Sequence, residues 1–442
     1  MMAGMEKRGL LLPAVVAVLF AVALGVTAGA QEPELELPPQ TSTGLPINFS
    51  PPGARALGMG GAFIAIADDA TASEANPAGL TILTRPEVSA HLTRASHTLA
   101  YEDPNTDFFA QFDPVAGEAA PSFECSSTRF SFASWVYPFD SVSLSIYYRE
   151  AALFDAQDEV VATNEPYQDW FVSGRSMGYS LRHFGVAAGY RLGDMVSIGA
   201  SLRDTHLDIL AVSRLRGDYL TDLELITGNL DHTDFVEVRQ TIDGLDTDLT
   251  FNLGLLLNPN GKISAGLVYS EGGDFSYAGE VTYLECVNAP ELGYTCDLES
   301  GEGSHLEMLF GSEPVELSLP DVWGLGVAWR PSRELTVAAD LRRVEYGSLY
   351  DPATDSERVG SELEVHLGVE YAFLSQSGGM PFSLRAGAYS DPDHDGSAEV
   401  DSEQTHFTVG TGVVLDERVQ LDLAAHFAET IDEYVLSLVY WF

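Results

Sequence analysis

The chain has 442 residues, is 45% hydrophobic and carries a formal net charge of −44. Such a charge repels nucleic acid, so DNA and RNA are excluded as partners. After the first thirty residues, no apolar run approaches the roughly 20 residues of a membrane-spanning helix.

Lys7 and Arg8 precede an apolar run from Leu10 to Val26, and Ala28-Gly29-Ala30 offers small residues for cleavage before Gln31. This is the layout of a secretory signal peptide over residues 1–30. Residues 31–43 are rich in Pro and Glu and read as a flexible segment. Residues 44–85 are dominated by small side chains and do not alternate, which suits a segment packed inside a confined space. Within it, Asp68 and Asp69 precede Ala70-Thr71-Ala72 and read as the cap of a short helix. Asn76-Pro77, followed by Gly79, reads as the turn that ends it.

Residues 86–442 repeat one pattern: segments that alternate apolar and polar, separated by turn signals. Val142, Leu144, Ile146 and Tyr148 oppose Ser143, Ser145, Tyr147 and Arg149. Val196, Ile198, Ala200 and Leu202 oppose Ser197, Gly199, Ser201 and Arg203. Leu363, Val365, Leu367, Val369 and Tyr371 oppose Glu364, His366, Gly368 and Glu370. The polar sides carry charges and glycines, and aromatic residues such as Trp135, Tyr137, Tyr190 and Trp329 gather near strand ends. A barrel with a polar lumen and aromatic girdles explains both features. Tyr179 and Leu181 fall on the opposite parity to Phe184, Val186, Ala188 and Tyr190, which predicts a β-bulge near His183.

Six tight turns occur at Pro138–Asp140, Gly193-Asp194, Asn258–Gly261, Pro331–Arg333, Ser375–Pro381 and Asp416–Arg418. Between them lie long acidic connections, roughly 102–127, 153–175, 214–244, 275–317, 347–361 and 390–404, with a short seventh near 429–432. Turns alternating with loops is the asymmetry of an outer-membrane barrel, and six turns with seven loops give fourteen strands. The fold class is therefore all-β: a transmembrane antiparallel barrel over residues 86–442, to which the resemblance given below adds residues 44–85 as a hatch in the lumen. The last strand places Tyr434, Leu436, Leu438, Tyr440 and Phe442 on one face. An aromatic carboxyl terminus of this kind resembles the signal read by the barrel-assembly machinery, so that machinery and outer-membrane lipids are expected partners. Cys286 and Cys296 share one predicted loop, in a compartment that permits pairing, and Cys125 lies apart.

The run "GARALGMGGAFIAIADDATA…NPAGL" resembles the N-terminal plug of the FadL-type outer-membrane transporters, and also the related PorV-like proteins. "LPDVWGLGVAWRPSRELTVAADLRRVEYGSL" and "RAGAYSDPDH" resemble barrel strands of the fatty-acid and aromatic-hydrocarbon branch. The family position before Asn76 is often aromatic, whereas this chain has Glu74-Ala75. The resemblance implies a plugged fourteen-stranded barrel that passes hydrophobic small molecules, long-chain fatty acids or hydrocarbons, without energy input and without catalysis. Asp68, Asp69, Asn76, Pro77 and Gly79 are then the expected hatch and gating residues. The alternative is a PorV-like scaffold that shuttles or docks secreted proteins.

Three further patterns carry less. Gly174-Arg175-Ser176-Met177-Gly178 matches G-x-S-x-G, but precedes a strand rather than forming a strand–turn–helix elbow. Asp391, Asp393 and Asp395, followed by Gly396, resemble the opening of a calcium loop; Ser402 stands where the bidentate Glu is needed. Calcium is the one candidate cofactor. Arg149, Arg203, Arg342 and Arg385 point inward by parity, with Asp340, Glu364 and Glu370 as expected partners.

Overall fold

The computed structural model describes residues 49–100, 122–164, 169–218, 235–259, 261–286, 305–309, 314–349, 361–374, 379–391, 404–428 and 431–442. The expected signal peptide (1–30), residues 31–43, the first residues of the expected hatch (44–48) and Cys296 lie outside these.

One antiparallel sheet closes on itself. Its strands are β1 (Glu87–Ala100), β2 (Ser122–Pro138), β3 (Val142–Asn164), β4 (Asp169–Leu192), β5 (Val196–Asp218) and β6 (Phe235–Leu257). β7 comes in two pieces, Ile263–Ser270 and Gly273–Cys286, and β8 in three, His305–Leu309, Pro314–Leu319 and Val322–Trp329. There follow β9 (Leu335–Val344), β10 (Glu362–Phe373), β11 (Phe382–Asp391), β12 (Gln404–Leu415), β13 (Val419–Phe427) and β14 (Ile431–Trp441). The seventeen hydrogen-bonded segments therefore make fourteen strands, as the turns predict. β1 pairs with both β2 and β14, with Ala90 opposite Leu438, so no edge remains.

Period two decides which side chains meet which medium. On β10, His366 is 0% exposed, while its neighbour Leu367 is 53% exposed. The outward apolar run ends at a charge on strand after strand. Tyr190, Val186 and Phe184 give way to Arg182; Ile198 and Leu202 to Asp204; Val337 and Leu341 to Arg343. About nine residues of tilted strand give the ~25 Å band that a bilayer requires. Leu367→Arg, in the middle of that band, should cost about 2–4 kcal/mol. Urea titration of the protein folded into lipid vesicles checks this. A loss under about 0.5 kcal/mol, the scale of an ordinary surface substitution, would remove Leu367 from the lipid face.

The strand bounds put all six short connections where the sequence places them, residues 260 and 375–378 lying outside the described residues. Three expectations need correction. First, the connections 153–175 and 214–244 are largely strand: β3 runs to Asn164, β4 starts at Asp169, β5 reaches Asp218 and β6 starts at Phe235. Polar, acidic composition at these positions belongs to paired strand, not loop. Second, β4 keeps one parity throughout, with Tyr179, Leu181 and His183 all buried inside. The register shift lies on β3, between Glu150 and Ala152, opposite Arg182 and Leu181. The apolar residues that suggest a bulge instead face an apolar lumen. Third, Cys286 closes the second piece of β7 rather than sitting in a loop. Cys125 is a free thiol on β2.

The wall breaks at one level. Pro320 interrupts β8 because it has no N–H for the ladder. Asp321 takes up the slack, accepting from Gly272 N at 2.9 Å and from the Tyr269 hydroxyl at 2.7 Å. β6 pairs with the first piece of β7 at Asn252–Leu257 and with the second at Phe235–Asp243. In the interval, carboxylates stand in for carbonyls: Asp246 accepts from Ser276 N at 2.8 Å and Asp248 from Asp274 N at 3.1 Å.

Candidate functional site

Residues 49–85 fill the lower lumen. They contain α1 (Ala54–Gly58), α2 (Ala72–Ala75) and a 3-10 helix, Pro77–Ile82. Met59, Ala62, Phe63, Ile66, Ala67 and Leu80 pack with Phe132, Val136, Tyr147, Ala187, Ala328 and Ala338 of the wall. Small side chains let the backbone approach closely. A Cβ on Gly79 would lie 1.9 Å from the carbonyl oxygen of Ala67, so no larger residue fits there. The segment's polar backbone groups are met by side chains from around the barrel, as burial demands. Asp340 accepts from Phe63 N at 2.7 Å and Ile64 N at 2.9 Å. Asn252 donates to Glu74 O at 2.6 Å, Ser264 to Ala65 O at 2.9 Å and Arg342 to Gly61 O at 2.6 Å. Glu87 accepts from Ala70 N at 2.7 Å, and Ser437 from Ala54 N at 2.8 Å.

The predicted hatch residues have distinct places. Asp69 accepts from Thr71 N at 2.9 Å, turning the chain into α2. Burial pushes the Asp69 carboxyl up, against the pull of Arg55. Asp68 pairs with Arg55, which also reaches Glu370 at 3.0 Å. Asn76 caps the 3-10 helix by accepting from Ala78 N at 3.2 Å, and its amide donates to Ile64 O at 2.9 Å. Pro77 opens that helix, where its missing N–H costs nothing.

Of the inward arginines, Arg385 pairs as the sequence suggests, with Glu370 at 2.6 Å, and also with Asp422 at 2.6 Å. The others depart from expectation. Arg149 and Arg203 converge on hatch Glu74, at 2.8 Å and 3.2 Å. Glu74 is not among the residues the sequence points to; its place where the family often has an aromatic is the available signal. Burial alone would raise its pKa. Arg203 and Arg149 more than reverse this and hold the carboxyl far below the ordinary range. A depressed acid stabilises the fold above its unfolded pKa and loses that contribution only as pH falls through the folded value. The Glu74 anchor should therefore be intact at pH 4. Hydrogen exchange of amides 70–80, corrected for intrinsic rates, should show the same protection at pH 4 and pH 7. Protection lost by pH 4 would contradict the pairing.

Above the hatch the lumen changes character. Ala152, Phe154, Tyr179, Leu181, Leu207, Ile209, Phe275, Tyr277 and Leu319 form a buried apolar cluster, with Phe49 against it. Below it, Glu74, Arg149, Arg203, Arg342, His183 and Glu271 share a cavity with Phe49, Ile64, Leu181, Val268, Leu319 and Val322. About 80 Å³ is open to the centres of water-sized molecules, room for several waters or one small polar group. A larger hollow, about 1100 Å³ beside Leu144, Ile146, Val186 and Leu202, opens on the lipid side of the wall and is not lumenal. Ser176 of the G-x-S-x-G match is buried on β4, without a strand–turn–helix elbow. Asp391 ends β11, and Asp393 and Asp395 lie outside the described residues. Among the described residues no three His, Cys, Asp or Glu side chains are placed to hold a metal ion.

The family model for outer membrane protein transport proteins (OMPP1/FadL/TodX) matches residues 48–433, nearly the whole of this architecture. The chain belongs to this family. As a member it is an integral barrel of the bacterial outer membrane. No curated protein sequence matches it. Solved structures share the fold at low identity. The Pseudomonas putida toluene transporter TodX superposes with a TM-score of 0.60 at 14% identity, over 89% of this chain and 99% of that one. A Pseudomonas aeruginosa FadL homologue gives 0.59 at 13%, over 91% and 100%. The Ralstonia pickettii toluene transporter TbuX gives 0.54 at 12%, over 89% and 99%.

Proposed function

We propose that this barrel carries hydrophobic small molecules passively across the outer membrane, through a lumen plugged by residues 49–85. The observation that carries the reading is the apolar cluster inside the upper lumen. A barrel that passed only water and ions would have no use for Phe154, Tyr179, Leu181, Leu207 and Phe275 facing inward. An apolar solute gains about 25 cal/mol for each Å² it removes from water on entering such a site. The solved relatives described as toluene transporters support an apolar cargo. Cargo enters from the side of the long connections, rests against the cluster, and passes when the hatch shifts. Asp68, Asp69, Asn76, Pro77 and Gly79 act by shaping the hatch and its contacts, not by chemistry on the cargo. No observation favours the protein-docking scaffold.

The test is uptake by cells that lack the chromosomal copy and express the protein or a variant. Radiolabelled toluene and a long-chain fatty acid serve as probes. Leu181→Asp with Leu207→Asp, placing two charges in the apolar cluster, should reduce uptake of at least one probe about tenfold or more, as a penalty above 1.4 kcal/mol implies. Undiminished uptake of both probes in the deletion strain would reject the reading. Export through residues 1–30 and insertion through the strand ending at Phe442 complete the proposal. Sequencing the mature N-terminus should begin at Gln31.

A further inference from the structure

The hatch reverses at Gly60-Gly61, and the wall grips that turn. Both glycines have positive φ, 63° and 75°, which other residues rarely adopt. A Cβ on Gly60 would lie 2.7 Å from Ala388 N and from Leu367 O, so the turn rests directly on β10 and β11. Two side chains hold its carbonyls. Arg342 Nη2 donates to Gly61 O at 2.6 Å, and His366 Nδ1 lies 2.8 Å from Gly60 O. The other ring nitrogen of His366, Nε2, is 3.0 Å from Glu364 Oε2, while the Tyr346 hydroxyl donates to Glu364 Oε1 at 2.7 Å. His366 is 0% and Glu364 6% exposed, so these groups have to satisfy one another.

A carbonyl oxygen only accepts, so His366 Nδ1 must carry a hydrogen. An ionised carboxylate also only accepts, so Nε2 must carry one too, unless Glu364 is itself protonated and donates to Nε2. Both arrangements contain the same single extra proton, which belongs to the pair rather than to either residue. Without it, one contact sets lone pair against lone pair, at Gly60 or at Glu364. We propose that this proton latches the hatch: with it the Gly60-Gly61 turn is seated, and its loss as pH rises frees the turn. The charged and titratable groups around the pair are Asp340 and Arg342 on β9, Tyr346 in the 3-10 turn Tyr346–Leu349, and Tyr389 on β11. The Tyr389 ring is stacked on His366 at 5.0 Å, with His406 and His426 beyond it. Hatch residues 58–62 bring no titratable side chain. Asp340 also ties the hatch, at Phe63 N and Ile64 N, so the test has to separate it from the pair.

The experiment is hydrogen exchange on the full-length protein in lipid nanodiscs, read by mass spectrometry and corrected for the intrinsic effect of pH. Protection of amides 60–62 should fall about tenfold or more between pH 6 and pH 10, the scale of a lost hydrogen bond to a charged group. Amides of β5 should stay unchanged. Glu364→Gln should abolish the fall. Its amide donates to Nε2 of a neutral ring, Nδ1–H still serves Gly60 O, and Tyr346 keeps an acceptor, so no titrating proton is needed. His366→Asn, whose amide donates to Gly60 O at any pH, should be flat as well, and serves where Glu364→Gln does not fold. Constant protection of the unsubstituted protein over this range would overturn the inference. A fall that survives in either variant would assign the pH dependence to another group, Asp340 first, and would overturn it too. Uptake is not the readout, so this result and the proposed function stand or fall separately.

Discussion

Arg385→Leu is expected to destabilise the folded barrel by about 3–5 kcal/mol, the scale set by removing one member of a buried charge network. Arg385 is 3% exposed in its side chain and holds two carboxylates, Glu370 and Asp422, each at 2.6 Å. Glu370 retains Arg55 after the substitution, at 3.0 Å. Among the described residues Asp422 retains no cation: it keeps Gln420, which donates at 2.7 Å, and is itself 2% exposed. An ionised group stranded in this way costs more than the lost contact. Pairing the change with Asp422→Asn should therefore recover part of the loss, a coupling of about 1–3 kcal/mol. Unfolding from lipid vesicles in urea gives both numbers. A single-variant loss below about 1 kcal/mol, typical of exposed pairs, would show that the network is wetted.

Gly199→Val is expected to unseat the hatch while leaving the barrel folded. A Cβ at Gly199 would lie 2.2 Å from the carbonyl carbon of Pro77 and 2.3 Å from Ala78 N, both backbone atoms of the 3-10 helix. One of the two elements has to move. β5 is laddered along its length to β4 and to β6. The 3-10 helix has no ladder, and is tied near Gly199 by side chains such as Thr81, which bonds Ser197 at 2.7 Å. The hatch is therefore the element that yields, at the overpacking cost of about 1–3 kcal/mol. Planar-bilayer recordings should show conductance steps where the unsubstituted protein is silent, with the far-ultraviolet spectrum unchanged. A silent bilayer with normal folding would mean that the wall yields instead.

Much of this architecture is legible in the sequence for one physical reason. Lipid outside and a polar lumen inside force period two, and short turns must join strands on one side, so the alternation and the turns at Gly193 and Asp416 report topology directly. The signal fails where the lumen is not polar. Tyr179 and Leu181 obey the alternation, yet they mimic a lipid-facing strand out of register, because an apolar interior carries the same residue types as an apolar exterior. The upper reaches of β3 to β6 fail in the opposite sense: their acidic and polar composition reads as loop, although the backbone continues as paired strand. The hatch is legible as a packed segment from its small residues, and Asn76 and Pro77 from their turn chemistry. What it binds is not legible. Glu74 meets Arg149 and Arg203, which stand 75 and 129 residues away in the chain, and no local pattern encodes that meeting.

On the proposed function, cargo crosses by way of the lumen and past the hatch. The Ser73 and Ser145 hydroxyls, one on the hatch and one on β3, are 2.7 Å apart. Replacing both with cysteine, after Cys125, Cys286 and Cys296 are changed to serine, allows a disulfide that ties the hatch to the wall. Uptake of labelled toluene and a long-chain fatty acid is then measured in the oxidised and reduced states. Uptake that stops on oxidation and returns with reductant is the predicted result. Uptake that continues undiminished with the disulfide formed would contradict the account, and would turn attention to the interrupted ladder between β6 and β7.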